Sequence, residues 1–197
     1  MSPIAATPDS DTRPTVELIA AENNKPKVDE SAFRLEDFAL AAIADQLPPA
    51  NQHPPELALV CDRFTRLTQH HTTWHEAFTQ SRSAPPHPSD VPLLQLALNF
   101  SLSPLEQLTL ALTAAVEENV HVGRALARIQ APIGGSRPTL SLLTAALSPI
   151  STSASPLAQL VNGNAIATGL LTLSETAAPL PEQVVSVPRH IHFALAQ

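Results

Sequence analysis

The chain has 197 residues, a formal net charge of −7, and 44% hydrophobic against 15% charged residues. That length can bury a core of its own. An acidic balance with two lysines, Lys25 and Lys27, argues against a general binder of nucleic acid or anionic membrane, because such affinity rests on cations. One cysteine, Cys61, excludes an intrachain disulfide framework and a thiolate-rich metal site, and no segment approaches the roughly 18 consecutive apolar residues of a membrane span.

Twenty prolines beside five glycines predict frequent helix starts and stiff connections. With no tyrosine, six phenylalanines and one tryptophan, the core must be aliphatic, and a Leu- and Ala-rich core favours helices. Residues 1–30 are polar, lack a sustained apolar period, and read as a disordered arm with a short turn of helix at Val16–Ala21. They also lack the basic start and apolar run of a signal peptide, so a soluble, cytoplasmic protein is expected.

Helical spacing begins after Ser31. Leu35, Phe38, Ala39, Ala42 and Ile43 form one helix that stops at Pro48–Pro49. A second helix follows Pro54–Pro55, with Leu57, Val60, Phe64, Leu67, Trp74 and Phe78 at alternating steps of three and four and His71 in the gap. Read as continuous, it has six or seven turns and closes a helical hairpin over residues 31–80. Residues 81–92 carry four prolines and read as a linker.

Leu93–Phe100 predicts a short apolar helix. Ser103-Pro104-Leu105-Glu106 is the clearest helix start: Ser103 caps, Pro104 suits the first position, and Glu106 completes a capping box. Leu105, Leu108, Leu112, Ala115 and Val116 face inward from it, and another helix covers about residues 122–129. A tight connection at Gly134-Gly135 leads to a helix from Thr139. Ser155-Pro156 opens a shorter one that Asn162-Gly163 closes. Residues 169–173 and 184–187 read as antiparallel strands flanking a ten-residue loop, and Pro188 opens a helix to Gln197. The expected fold is mainly α with a small β-hairpin. Short helices followed by strand, loop and strand give residues 93–197 the order of a winged helix.

A family resemblance rests on this order. Leu102-Ser103-Pro104-Leu105-Glu106, the acidic helix end Glu117-Glu118, Arg137-Pro138-Thr139 before a Leu-rich helix, Gly169-Leu170-Leu171-Thr172-Leu173 and Val187-Pro188-Arg189 occur in sequence. Together they resemble the winged-helix N-terminal region of bacterial AAA+ ATPases associated with extracellular contractile injection systems. The resemblance covers about residues 90–197, with residues 31–80 as a helical prelude. It implies a non-catalytic interaction or regulatory module that positions the motor or its client through protein contacts. The partners implied are an AAA+ ATPase module, in cis or in trans, and injection-system components; an attached motor implies a ring.

The chain itself carries no G-x-x-x-x-G-K-[ST] loop, and Gly134-Gly135-Ser136 lacks the lysine that would reach a phosphate, so ATP hydrolysis is not expected of these residues. Between Arg137 and Arg189 there is no cation at all, while Glu175 and Glu182 sit in the hairpin loop. Gln159 and Asn162 are the polar groups of the candidate recognition helix. This pattern repels a duplex and speaks against the alternative of a stand-alone, dimeric winged-helix DNA-binding regulator. A third reading is a structural or assembly protein of an injection particle, with the seam from Leu57 to Phe78 joining chains as a homo-oligomer.

Candidate chemistry is sparse. His71 and His75 share a helix face, but His70 does not, Asp62 and Glu76 point elsewhere, and packed histidines are favoured over a zinc site. His190 and His192 diverge on a helix. Cys61 beside Val60 reads as a half-buried structural thiol, and no serine lies in a G-x-S-x-G elbow. Glu117 and Glu118 point about 100° apart, which suits a solvated helix end better than an acid–base pair. Gly134-Gly135-Ser136-Arg137 reads as a turn with a cap ahead of an anion cradle. No enzyme, cofactor or metal is expected.

Overall fold

A computed structural model describes residues 33–48, 53–69, 71, 73–132, 134–174 and 177–195. The expected arm at residues 1–30, with its turn at Val16–Ala21, lies outside the described residues. The fold is mainly helical.

Helix α1 (Leu35–Ala44) carries Glu36 and Asp37 in its first turn, is apolar all round beyond it, and lies at the centre. Apart from Glu36 all its residues are buried, and Ala39, Ala41 and Ala42 allow neighbours to approach its backbone closely. A single 3-10 turn, Pro55–Leu57, opens α2 (Ala58–Thr68), which leads to α3 (Trp74–Ser81); both helices pack on α1. Phe38 and Phe78 meet edge to face at 5.5 Å between ring centroids.

The continuous helix expected from Leu57 to Phe78 is therefore two helices. Thr73 turns extended and caps a new start, its hydroxyl accepting the Glu76 N–H, while Thr68 bonds back to the Phe64 carbonyl in the last turn of α2. The spacing of Val60, Leu67, Trp74 and Phe78 survives because the break re-aims the second piece onto the same core. All four are buried within this chain.

Asp90 belongs to a second 3-10 turn, Pro88–Asp90, and reaches back to α1: its carboxylate accepts the buried Leu35 N–H at 2.8 Å. This caps a free donor of α1 from a residue 55 positions away. Helix α4 (Val91–Asn99) follows, and the chain turns through Ser101 at φ 52° into α5 (Pro104–Glu118). The capping box at Ser103 and Glu106 is as expected. Thr109 and Thr113 are buried on α5, with their hydroxyls satisfied by the Leu105 and Thr109 carbonyls.

Helix α6 (Val120–Ile129) packs on α2 and α5, and α7 (Leu140–Leu147) packs on α1. Asn162-Gly163 ends α8 (Pro156–Val161), but the chain at once forms a further turn, α9 (Asn164–Ala167), which the sequence reading did not expect. Strand β1 (Thr172–Leu173) pairs antiparallel with β2 (Val185–Ser186), Thr172 opposite Ser186 and Leu173 opposite Val185. The strands are shorter than expected because Gly169, at φ 75°, and buried Leu170 and Leu171 feed α9 into the core before pairing begins.

On its other side the 183–186 segment meets residues 138–140. Thr139 bridges Val184, the Val185 N–H donates to the Pro138 carbonyl, and the Leu140 N–H donates to the Gln183 carbonyl. Helix α10 (Arg189–Leu195) closes the described chain against α4. Buried residues from Leu35 to Val187 form one hydrophobic cluster. Among the described residues no helix is long and apolar enough to cross a membrane.

Candidate interaction groove

An open groove of about 600 Å³ lies between the end of α6, the start of α7 and the loop that joins β1 to β2. Ile129, Leu142, Ala178 and Val184 supply apolar walls, and among the described residues Glu182 is the one charged lining residue. Sequence periodicity places Ile129 and Leu142 on helices, yet only the pairing of 138–140 with 183–185 brings the hairpin over them.

Gln130 fixes the floor. Its amide nitrogen donates to the Gly135 and Arg137 carbonyls, both at 2.9 Å, and its amide oxygen accepts the Thr139 N–H at 2.8 Å. One side chain therefore satisfies three backbone groups of a connection that has no regular structure. Gly134 lies so close to Gln130 that a Cβ there would strike its side chain. Thr139 caps α7 by accepting the Leu142 N–H, and the Val184 N–H donates to the Ser174 hydroxyl across the hairpin. The groove's polar groups are thus largely used within the fold. What remains open is apolar surface.

At Gly134-Gly135-Ser136-Arg137 the Gly134 N–H donates to the Gln130 carbonyl, as in a tight turn. The Gly135 and Arg137 carbonyls face the Gln130 amide, and the Arg137 Nε donates to Glu117 at 2.8 Å, which raises the Arg137 pKa further. Glu117 is committed to that pair, while Glu118 lies around the corner beside Arg34, Glu36 and Asp90. The two glutamates do not form an acid–base pair.

The other candidates are also scattered. His70 lies outside the described residues; His71 falls in the break between α2 and α3, so it does not share a helix face with His75. The His75 ring meets Trp74 edge-on and its Nε2 is 3.3 Å from the Thr73 hydroxyl. His190 and His192 both lie on α10, where the His192 ring packs against Phe193. Among the described residues no group of three His, Cys, Asp or Glu side chains could hold a metal ion. Cys61 is half-buried, and burial pushes its thiol pKa up, away from the reactive thiolate.

Gln159, one of the two polar groups expected on the candidate recognition helix beside Asn162, is occupied. Its amide oxygen accepts the Ser151 hydroxyl at 2.7 Å and the Thr152 N–H at 3.2 Å, and its nitrogen reaches the Thr152 hydroxyl. Glu182 stands exposed at the lip of the groove, and Glu175 lies outside the described residues.

Two carboxylate functions escaped the sequence reading. Glu106 uses one oxygen for the Ser103 N–H and hydroxyl and the other for the buried Ala165 N–H at 2.7 Å, so it caps α5 and α9 together. Gly163 sits where a Cβ would strike that carboxylate. The pairing of Ser103 with Glu106 signalled half of this; nothing local to Glu106 points to Ala165. Asp90 is the second. Burial raises its pKa against the opposing pull of the Leu35 N–H, Arg34 and His87, and burial likewise raises that of Glu36 despite Arg34 beside it. Asp37 and Arg63 complete this junction, Oδ1 and Nε lying 3.0 Å apart as an ion pair without a directed hydrogen bond.

No protein family, curated protein or solved structure matches this chain.

Proposed function

We propose that this protein is a non-catalytic interaction module in which residues 93–197 form a winged-helix-like unit that docks another protein through the groove between α6, α7 and the β1–β2 loop. The order supports the winged-helix reading: a strand contact at 138–140, then α7, the α8–α9 pair, β1, a loop and β2, with 183–186 in the middle of the three paired segments. The observation that carries the functional reading is the surface chemistry of this half. No cation lies between Arg137 and Arg189, the Gln159 amide is spent on its own loop, and the groove walls are apolar.

On the resemblance set out above, the partner is the AAA+ motor module of a contractile injection system, attached in cis or met in trans. The reading as a DNA-binding regulator has little to rest on, since a duplex would meet no phosphate-binding cation on this face. The use of the Leu57–Phe78 seam between chains loses its support as well, because Val60, Leu67, Trp74 and Phe78 are buried inside one chain.

The test is binding of the purified motor module, measured beside the variant Ser141→Arg. Ser141 is exposed and lines the groove, so an arginine there puts bulk and charge into it without disturbing the core. At least a tenfold loss of affinity is expected. Unchanged binding by the folded variant would remove the groove from the interface. In parallel, fluorescence anisotropy with duplex DNA at low salt is expected to stay flat, and saturable binding there would overturn the protein-contact reading. Intact mass of the product in its own cells separates the cis arrangement, far above 20.9 kDa, from the trans one.

A further inference from the structure

We draw no further inference here: the strongest candidate, the apolar face that Val91, Leu98 and Phe193 leave exposed on α4 and α10, carries nothing because nothing in the structure shows what covers it.

Discussion

Beyond its first turn, where Asp90 and Arg63 reach it, α1 is joined by apolar contact, with Phe38, Leu40 and Ile43 almost wholly removed from water. Between Gln130 and Val187 the apolar core continues through Leu140, Leu143 and Leu171, and directed polar contacts are added to it. A few polar side chains reach across to backbone groups of other segments: Gln130 to the 135–139 connection, Glu106 to α9, Gln159 to the 151–152 loop. Apolar contact is non-directional, so α1 can be built from any residues of suitable size. The stitched half depends also on donors and acceptors meeting at set distances, and at Glu106 a missing partner strands the buried Ala165 N–H. The two halves should therefore fail differently.

The largest expected effect is in the apolar half. Phe38→Ala should cost about 3–5 kcal/mol by urea unfolding, because the ring contacts with Phe33 and Phe78 and the buried volume are lost together. The loss should be global, with amide exchange accelerated in α1, α5 and α7 alike. Exchange confined to α1 would show that the single cluster is not one cooperative unit.

Glu106→Ala comes next, at about 2–3 kcal/mol, since it strands the buried Ala165 N–H and the donors of Ser103. Glu106→Gln, which keeps an acceptor, should recover part of that. Exchange at Ala165 should speed up before exchange in α1, and equal acceleration of both would erase the distinction between the halves. Gln130→Ala should cost about 1–2 kcal/mol, with the damage read at Thr139 and in weakened partner binding at the groove.

The smallest expected effect is a pH dependence at the first turn of α1. Asp90 has its pKa raised in the fold, mainly by burial, so the folded state holds this proton more tightly than the unfolded chain does. Above the raised value the ionised carboxylate is a net cost to folding. That cost shrinks as pH falls through the raised value and is gone below the ordinary aspartate range. Asp90→Asn keeps an acceptor for the Leu35 N–H without the charge. The variant should hence melt slightly above the parent at pH 7, and the gap should close on acidification toward pH 4. A gap that widens instead would mean that Arg34 and His87 outweigh burial.

This same division explains what the sequence made legible. The helices at Leu35, Ser103-Pro104, Thr139 and Ser155-Pro156 announce themselves through periodicity and caps, which are local properties. The second hairpin strand is visible as a Val-rich run and the first as the apolar run 169–173, although the core takes Leu170 and Leu171 and leaves only two residues to pair. The break at residues 69–73 was hidden because the three-and-four spacing continues across it, and a period in sequence does not prove an unbroken helix. The groove floor was hidden for another reason. Gln130 is an ordinary polar residue at a helix end, and its three partners become neighbours only after the 134–139 connection has folded back over it.

The central placement of α1 has a consequence for how the protein is made. Its ten residues leave the ribosome ahead of their cover, since α5 begins about 60 residues later and α7 ends about a hundred residues later. At ordinary rates of translation the helix waits roughly 5–20 s for its cover. Throughout that interval Leu35, Phe38, Leu40 and Ile43 have only α2 and α3 to shelter them. A nascent chain stalled before α5 is thus the species in which aggregation, or capture by a chaperone, should be sought.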